Sequence, residues 1–348
     1  MIQQVRWGVL GAASIAIQRT MPAINEAPSA TLHAIASRDG TKAVALAAQL
    51  GAARAYAGYE ELLTDPEVDA VYVPLPNQLH FEWSLRAMEA GKHVLCEKPL
   101  CLTSHEVQRL CAARDRTGMQ IEEAFGYRNH PQWDRLRELI ATEQVGPIRA
   151  AHATLAKQFL DPADVRNNAA AGGGALYDLG SYSINALNLI FGRAPDRVVA
   201  ALEHDPQFRI DRLSSALLDY GAAHATLTVA SQAGPAAWAT HQQLTVLGAR
   251  GWLRLNFPFA QARPTPCVIE VGDETSVGAI ATSVHEFTPV NQYALQIERF
   301  SRRVLGATVR AWPIEDALQT LHTIEAILAS ARSGMWQTLT RLDLKDRL

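Results

Sequence analysis

The chain has 348 residues, of which 48% are hydrophobic, and its formal net charge is -3 at pH 7. This composition is that of a globular protein with a sizeable core, and the length is typical of two domains. The near-neutral charge disfavours a nucleic acid or an anionic membrane surface as the partner, so small-molecule chemistry is the better hypothesis.

The four cysteines show no C-x-x-C pairing and have no histidine at metal-ligand spacing; they are Cys96, Cys101, Cys111 and Cys267. We therefore predict neither a disulfide framework nor a metal site, and we expect reduced thiols in a cytoplasmic protein. No basic region followed by a separate apolar region opens the chain, and no apolar run reaches the length of about 18 residues that a membrane span needs. No membrane association is predicted.

The first third of the chain alternates short apolar runs with helical patterns, which is typical of a parallel sheet covered by helices on both faces. The predicted strands are RWGVLGA, TLHAIASR, AVYVPL, HVLCE and MQIEEAF. The helical segments KAVALAAQLG and FEWSLRAMEAG end in Gly51 and Gly91, which suit the left-handed position after a helix. A predicted capping box of Thr103 and Glu106 opens another helix, which Gly118 can end.

From about residue 126 the pattern changes to alternating strands joined by glycine-containing turns, which indicates an antiparallel or mixed sheet with one face toward a core. These strands are PIRAAHATLA, RLSSALLDYG, HATLTVAS, HQQLTVLG and GWLRLNF. We predict an α/β chain: a doubly wound N-terminal Rossmann domain over 1–125, then a C-terminal α/β domain with an open, mostly antiparallel sheet over 126–348. A late helix is also predicted at 314–334, with packing against the first domain as an alternative to packing within the second.

The first predicted strand runs into WGVLGAASIA. Gly11 allows a tight turn, and Ala13 and Ala16 stand where a G-x-G-x-x-G fingerprint has its second and third glycines. Small residues let the backbone approach a pyrophosphate, and the next helix presents free N–H groups to the anion. We predict a dinucleotide site here, the alternative being a plain strand-to-helix turn. The predicted contacts are Gly11, Ala12, Ala13, Ser14 and Ile15.

The second predicted strand ends in Ser37 and Arg38. An acidic side chain at this point normally holds a free ribose 2′-hydroxyl, whereas a 2′-phosphate needs a cation. Ser37 and Arg38 therefore favour NADP. Asp39 offers an alternative as the ribose acid, which leaves NAD possible.

The loop VPLPNQLH follows the next apolar strand, and Pro74 and Pro76 keep it extended at the carboxyl edge of the sheet. Asn77 can be a plain N-cap of the helix that follows. His80 lies in the first turn of that helix and faces either solvent or cofactor. The predicted cofactor contacts here are Pro74, Leu75, Asn77 and His80.

The stretch HVLCEKPLCL interrupts an apolar strand with Glu97, Lys98 and Pro99. These residues fall at the carboxyl end of the strand, where ligands bind in open α/β sheets. Lys98 would lie close to a nicotinamide there, and Glu97 and Lys98 are predicted cofactor contacts. The alternative is a surface lysine paired with Glu97, which the spacing does not exclude.

A third set of polar residues lies in GGGALYDLGSYSIN. Asp178 and Tyr182 are four residues apart on the predicted helix and share a face, with Asn185 one turn further on. A helix that only packs in a core has no need of an acid and a phenol near its N-terminus. The alternative is an exposed polar face with a tyrosine packed at the domain joint.

With these motifs assembled, the chain resembles the glucose-fructose oxidoreductase, inositol dehydrogenase and rhizopine catabolism (Gfo/Idh/MocA) family over essentially its whole length. The segments that carry the resemblance are GVLGAASIA, VYVPLPNQLH, AGKHVLCEKPL, EEAFGYRNHPQ, GGGALYDLGSY and PIEDAL. The resemblance implies a Rossmann domain followed by an open-faced α/β domain whose sheet forms the interface of a dimer or tetramer. The family's E-K-P motif matches Glu97, Lys98 and Pro99, which implies an active-site lysine and a cis peptide before the proline.

Many members of the family have a D-x-x-x-H motif with histidine as the acid/base, whereas here Tyr182 follows Asp178. This resembles the branch with glucose-fructose oxidoreductase, NADP-dependent aldose dehydrogenases and dimeric dihydrodiol dehydrogenase, in which a tyrosine serves. The resemblance implies hydride transfer to or from a hydroxyl-bearing carbon of a sugar or cyclic polyol, with aldose oxidation at C1 expected. Tyr182 would be the acid/base, assisted by Lys98, and Asp178 would orient the substrate or the Lys98 ammonium.

Substrate preference is expected to depend on second-domain side chains, and the candidates are Phe159, Arg166 and Tyr293. An alternative within the same chemistry is a dihydrodiol dehydrogenase-like enzyme that takes a less polar cyclic diol. Two alternatives come from other classes: an NAD-dependent glycosidase and a dinucleotide-binding regulator without catalysis. The intact set of lysine, aspartate and tyrosine disfavours the regulator, and the phosphate-binding character of Arg38 disfavours the glycosidase.

Overall fold

The computed structural model of the chain describes residues 4–233, 240–259, 266–274 and 280–340. The chain divides into two compact units. The first unit consists of Met1–Gly126 and Asn291–Ala317, and the second unit consists of Tyr127–Val290 and Leu318–Leu348. The division differs from the expected boundary in one segment, since 291–317 belongs with the first unit.

The described residues of the first unit form six strands: β1 (Val5–Leu10), β2 (Ala30–Ala36), β3 (Arg54–Tyr56), β4 (Ala70–Val73), β5 (His93–Cys96) and β6 (Ile121–Glu123). They form a parallel sheet in the order β3-β2-β1-β4-β5-β6, which is the doubly wound order of a dinucleotide-binding domain. All residues of β4 are buried, as expected for a strand covered on both faces. The predicted Rossmann sheet is confirmed.

The helices that accompany this sheet are α1 (Met21–Glu26), α2 (Gly40–Leu50), α3 (Tyr59–Thr64), α4 (His80–Glu89) and α5 (Ser104–Thr117). A π-helical turn at Ala16–Thr20 precedes α1. The capping box of Thr103 and Glu106 is complete at the start of α5. Gly51, Gly91 and Gly118 have φ values of 76°, 75° and 71°, so the predicted left-handed positions are confirmed.

The second unit contains β7 (Ile148–Ala156), β8 (Arg197–His204), β9 (Asp211–Asp219), β10 (His224–Ala230), β11 (His241–Gly248), β12 (Gly251–Leu255), β13 (Cys267–Glu274), β14 (Ile280–Phe287) and β15 (Gln337–Thr338). They form one sheet in the order β14-β13-β12-β11-β7-β10-β9-β8-β15. The pairs are antiparallel except β7 with β10, which is parallel. This matches the predicted open, mostly antiparallel sheet.

Two helices of the second unit precede or follow β7: α6 (Pro131–Ala141) and α7 (Ser181–Phe191). Helix α7 packs against β7 and β10. On those strands Ala151, Ala153, Leu155 and Leu227 are buried, whereas alternate positions such as His152 and Thr228 are exposed. The sheet therefore buries one face against helices and presents polar side chains on the other.

After β14 the chain enters the first unit as α8 (Gln292–Val304) and then forms α9 (Glu315–Ser333). Ile297 and Phe300 are fully buried, and the Phe300 ring lies 5.4 Å from that of Trp7. The late helix lies mainly in the second unit, where the Ala200 amide donates to Ser330 Oγ at 3.0 Å. None of the helices in the described part of the chain is long and apolar enough to span a bilayer.

Candidate active site

The turn after β1 has the features that a pyrophosphate needs. Gly11 has a φ of 112°, and its amide donates to the Ala36 carbonyl at 2.8 Å. This φ is strained for any residue with a Cβ, so the backbone conformation calls for glycine, and a Cβ here would also lie 3.0 Å from the end of the Leu75 side chain. Ser14 is exposed, and Ala12, Ala13 and Ile15 are partly exposed. The loop is therefore accessible at the carboxyl end of the central strand.

Side chains at the end of β2 separate the two cofactor hypotheses. Asp39 is the N-cap of α2, and its Oδ1 accepts from the Lys42 amide at 3.1 Å. Ser37 is buried, and its Oγ accepts from the Asp39 amide at 3.2 Å. Arg38 is exposed at the strand end. The Asp39 carboxylate is thus engaged by one oxygen as a helix cap, whereas Arg38 is an exposed cation beside it.

The segment Glu97–Leu100 is fixed by three neighbours in the first unit. The Tyr72 hydroxyl donates to Glu97 Oε1 at 2.5 Å, and burial together with the Glu97 charge raises the pKa of Tyr72. The Leu100 amide donates to Glu123 Oε1 at 2.9 Å. The peptide before Pro99 is cis, as the resemblance implies. Lys98 is partly buried within this braced segment.

His80 is the third side chain that contacts this segment. It faces neither solvent nor an open cofactor site, which were the two expected environments. Its ring is fully buried, with Nδ1 2.7 Å from the Pro99 carbonyl and Nε2 2.7 Å from the Leu75 carbonyl. Burial lowers its pKa, while the two carbonyls oppose that effect. The His80 ring therefore lies inside the first unit, where it contacts both the Pro99 segment and the loop after β4.

Asn77 does not cap α4. The structure places it as the first residue of a short 3-10 turn, Asn77–Leu79, with Pro76 before the turn and Leu79 as the N-cap of α4. The helix starts later than the sequence suggests because this turn intervenes between the second proline and His80.

Tyr293 lies in the first unit, whereas we expected it in the second domain. A Cβ at Gly126 would lie 3.5 Å from its ring. Burial and then the negative charge of Glu97 raise the pKa of Tyr293 to about 12. The relocation follows from α8, because this helix packs on the first unit and carries Tyr293 to the vicinity of the Glu97 carboxylate.

The helix with Asp178 and Tyr182 begins at the three glycines, and space explains two of them. A Cβ at Gly173 would lie 2.4 Å from the Arg166 carbonyl oxygen. Gly174 has a φ of 116°, and a Cβ there would lie 2.1 Å from Asp211 Oδ1. Asp211 Oδ2 accepts from the Leu176 amide at 2.7 Å, so a carboxylate satisfies the helix N-terminus. The first turn, Leu176–Gly180, is π-helical.

Tyr182 lies within an aromatic cluster that the sequence did not single out. Its ring centroid is 6.0 Å from that of Tyr127 and 5.8 Å from that of Phe259. One turn further on, Asn185 Oδ1 accepts from the Tyr127 hydroxyl at 2.5 Å and from Arg128 Nε at 2.8 Å. The ring of Tyr182 is thus oriented by packing, and it is only partly buried.

Asp178 contacts Arg166, and Arg166 stacks on Phe159; both partners were candidates for substrate preference. Arg166 Nε donates to Asp178 Oδ2 at 2.9 Å, and the guanidinium carbon lies 4.6 Å from the centroid of the Phe159 ring. Arg166 Nη1 also lies 3.2 Å from Asp164 Oδ1. The negative charge of Asp178 raises the pKa of Arg166. The structure therefore joins Phe159, Arg166 and Asp178 in one cluster.

Within the described residues, His33, Asp65 and Glu67 come close enough together to hold a metal ion. Arg54 forms ion pairs with both carboxylates, and its Nη1 lies 2.8 Å from Asp65 Oδ1. The guanidinium already supplies the positive charge that a cation would bring, so this cluster carries no metal hypothesis.

Models of one protein family match both parts of the chain. An oxidoreductase model with an NAD-binding Rossmann fold matches residues 5–125, and a GFO/IDH/MocA C-terminal domain model matches residues 133–254. An uncharacterized oxidoreductase from Rhizobium meliloti is 42% identical over 96% of this chain and 99% of its own length. A D-xylose 1-dehydrogenase (NADP(+)) from Haloferax volcanii is 35% identical over 94% of this chain and 98% of its own.

Among solved structures, a 3-ketoreductase from Actinomadura kijaniata in complex with NADP and TDP-benzene superposes with a TM-score of 0.86 at 31% identity. The match covers 94% of this chain and 98% of that one. The same protein has been solved with one tyrosine replaced by phenylalanine and with one lysine replaced by alanine. Both the motifs and these comparisons lead to one assignment: the chain belongs to the Gfo/Idh/MocA family and is an oxidoreductase that uses a nicotinamide dinucleotide.

Proposed function

We propose that the protein is an NADP-dependent dehydrogenase that oxidises an aldose at C1 to the lactone, with Tyr182 as the acid/base and Lys98 as its partner. The observation that carries the proposal is that Lys98 and Tyr182 each lie in a segment that neighbouring side chains hold in place. Lys98 follows a buried strand in a segment braced by Tyr72, Glu123 and His80. Tyr182 follows the π-helical turn of α7 and is held by aromatic neighbours.

The 3-ketoreductase variants support the choice of these two residues. The lysine and the tyrosine that are replaced in them are separated by the same number of residues as Lys98 and Tyr182 are here. At 31% identity over 94% of this chain, equal spacing indicates that the same motif positions were chosen. Lys98 and Tyr182 are therefore the first residues to test in this chain.

Arg38 supports NADP over NAD. It is an exposed cation at the end of β2, and the neighbouring Asp39 carboxylate is engaged as a helix cap. The xylose dehydrogenase is named for NADP(+), and the 3-ketoreductase was solved with NADP. A 2′-phosphate on the ribose gives the guanidinium a partner of opposite charge.

In the proposed reaction the C1–H bond of the aldose breaks with its electron pair, and NADP, when bound, would supply the hydride acceptor. Tyr182 acts as its phenolate in this direction and takes the proton of the C1 hydroxyl, whose oxygen becomes the lactone carbonyl. Lys98 donates a hydrogen bond to the same oxygen and stabilises the negative charge that develops on it. In each turnover the sugar thus loses one hydride and one proton.

The experiment is to purify the protein, identify any bound nucleotide, and follow the reduced-nicotinamide absorbance with aldoses, polyols and cyclic diols. We expect aldoses to be oxidised with NADP, and replacing Tyr182 by Phe to lower kcat by about a hundredfold or more, since general acid/base catalysis contributes that much. Tyr56→Phe, which removes a phenol hydroxyl bonded to Asp65, is the matched control and should leave kcat unchanged.

An unchanged kcat in Tyr182→Phe would remove the tyrosine from the proposed mechanism. Oxidation of cyclic diols but not aldoses would favour the dihydrodiol alternative. No reduction of NADP or NAD by any compound would favour the regulator or the glycosidase.

A second candidate is the reverse chemistry, reduction of a nucleotide-linked keto sugar. The favouring observation is the match to the 3-ketoreductase, which was solved with TDP-benzene. Oxidation of NADPH by a nucleotide-linked 3-keto sugar, without oxidation of any aldose, would favour this candidate over the first.

A further inference from the structure

Tyr72 is a buried phenol in a strand that is otherwise apolar. It lies in β4, where it is the register partner of Val9 on β1 and of Leu95 on β5, and it is only 1% exposed. The other residues of β4 are alanine and valine. A buried hydroxyl is costly unless it has a hydrogen-bond partner, so the position of this one depends on what it contacts.

The register of the sheet brings Glu97 to this hydroxyl. Register partners, and residues two apart on one strand, lie on the same face of a sheet, so Tyr72, Leu95 and Glu97 share a face. The Glu97 amide continues the ladder by donating to the Val73 carbonyl at 3.1 Å. The Tyr72 hydroxyl donates to Glu97 Oε1 at 2.5 Å, the length of a charge-assisted bond between a hydroxyl and a carboxylate. Burial and then the Glu97 charge raise the pKa of Tyr72, so the phenol keeps its proton and remains the donor.

The second oxygen of the same carboxylate contacts the next residue. The Lys98 backbone amide donates to Glu97 Oε2 at 3.3 Å. One carboxylate thus joins a phenol of the core to the backbone of Lys98. The residues after Lys98 are held separately, since His80 Nδ1 lies 2.7 Å from the Pro99 carbonyl. Tyr72 and Glu97 therefore hold the side of the segment that precedes the lysine.

We propose that Tyr72 is a positioning residue: its hydroxyl fixes the Glu97 carboxylate, and Glu97 fixes the backbone from which the Lys98 side chain extends. The inference rests on the proposed function, in which Lys98 donates to the reacting oxygen. Tyr72 itself lies in the hydrophobic core of the first unit and acts only through Glu97 and Lys98. A displacement of about 1 Å in a reacting group can cost about a hundredfold in rate, so this hydrogen bond has a measurable consequence.

The first test removes only the hydroxyl, by Tyr72→Phe, with the aldose that the wild type oxidises fastest. We expect kcat to fall by about tenfold to a hundredfold. KM for NADP should change little, because Gly11 and Arg38 of the proposed dinucleotide site follow other strands, β1 and β2. Tyr56→Phe removes a phenol hydroxyl that donates to Asp65 at 2.8 Å in the same unit. It is the matched control and should keep the kcat of the wild type.

The second test separates a role through Lys98 from a merely structural one. Once the lysine side chain is gone, its position no longer affects the rate, so Tyr72→Phe should cause little further loss of kcat in a Lys98→Ala background. An equal fold loss with and without the lysine would overturn the inference, and so would a Tyr72→Phe variant with the kcat of the wild type.

Lys98→Ala alone tests the proposed function. An undiminished kcat in that variant would contradict the role of the lysine and, with it, the inference. A reduced kcat in Lys98→Ala beside an undiminished kcat in Tyr72→Phe would overturn the inference and leave the proposed function standing.

The third test needs no substrate. It compares the urea midpoints of Tyr72→Phe, Glu97→Met and the double variant, since methionine is similar in length to glutamate and has no oxygen to accept the phenol proton. We expect the midpoint loss of the double variant to be smaller than the two single losses combined, because one hydrogen bond can be removed only once. Additive losses would show that the phenol and the carboxylate do not interact, and would overturn the inference even if every aldose is oxidised.

Discussion

Arg38 is the side chain on which the proposed choice of dinucleotide depends. Replacing it by Gln removes a charge-assisted hydrogen bond to the 2′-phosphate, and we expect KM for NADP to rise about tenfold to a hundredfold. KM for NAD, which has no such phosphate, is the internal control and should change little. Steady-state kinetics with both dinucleotides check this. Equal changes for the two would assign Arg38 a role unrelated to the phosphate.

His80 gives a second prediction at the level of single residues. Its ring reaches two backbone carbonyls from a fully buried position, and a neutral ring has one N–H to donate. Asn in its place is shorter and leaves at least one of these carbonyls without its present neighbour. We expect His80→Asn to lower the free energy of unfolding by about 1–3 kcal/mol and to lower kcat, because Pro99 follows Lys98 directly.

Urea unfolding and turnover measure the two effects, with His105→Asn as the control, since His105 is an exposed histidine of α5. A stable variant with unchanged kcat would show that the His80 ring does not position the Lys98 segment.

Helix α6 provides a pH-dependent element. His130 is its N-cap, and Nδ1 accepts from the Gln132 amide at 3.2 Å, which requires an unprotonated nitrogen. Burial lowers the pKa of His130 to about 4 from its usual 6.5. The unfolded chain takes up this proton first as the pH falls, so the stability from His130 is complete above 6.5 and is lost between about 6.5 and about 4.

We expect the wild type to lose about 3 kcal/mol more than His130→Asn across this window, at 1.36 kcal/mol per pKa unit. Asn is the chosen replacement because it keeps a capping oxygen and does not titrate. Urea unfolding at several pH values between 7 and 4 measures the difference. Parallel stability curves for the two proteins would assign the acid loss to other groups.

Elements that depend on near neighbours in sequence could be predicted, and those that depend on distant contacts could not. The capping box at Thr103 and the left-handed Gly118 follow from residues within one or two turns. Helix α8 has a local signal too, because Asn291 Oδ1 accepts from the Tyr293 and Ala294 amides at its N-terminus. Its place in the first unit depends instead on distant contacts, since Arg299 and Arg303 form ion pairs with the buried Glu122 of β6. No local pattern around residue 299 indicates that partner.

The same distinction applies to the candidate site. Lys98 and Asp178 stand out in the sequence because polar residues interrupt apolar patterns. The pairing of Asp178 with Arg166 and the enclosure of His80 between two carbonyls arise from the folding of loops, which spacing does not encode. The π-helical turn at Leu176–Gly180 also escaped a pattern based on the α-helical period.

At the scale of the whole molecule, we propose that the exposed face of the second unit's sheet is the interface between copies of the chain. One row across the described strands consists of Thr245, His152, Thr226, Leu217 and Val199, which are partners in register. His152 Nδ1 lies 2.7 Å from Thr226 Oγ1 near the middle of this row. Polar and aliphatic side chains make up this row, with no acidic or strongly basic side chain that would repel a second copy.

We expect Thr226→Lys to shift the protein to a lower molar mass in sedimentation equilibrium, because an unpaired charge in an interface is costly. Gln49→Lys, on the exposed side of α2, is the matched control and should keep the mass of the wild type. A wild type that sediments as one chain would contradict the proposed interface, and so would a Thr226→Lys variant of unchanged mass.

The π-helical turns at Ala16–Thr20 and Leu176–Gly180 share a consequence for how such chains tolerate length changes. A π turn holds one residue more than the α-helical turn it replaces. Deleting Leu179 or Gly180 would shorten the spacing of Asp178 and Tyr182 from four residues to three, and both spacings keep two side chains on one face of a regular α-helix. The acid and the phenol would stay neighbours, but the helix start, where the Leu176 amide donates to Asp211, would shift by one residue relative to α7. The additional residue of the π turn therefore sets the register between the anchored helix start and α7.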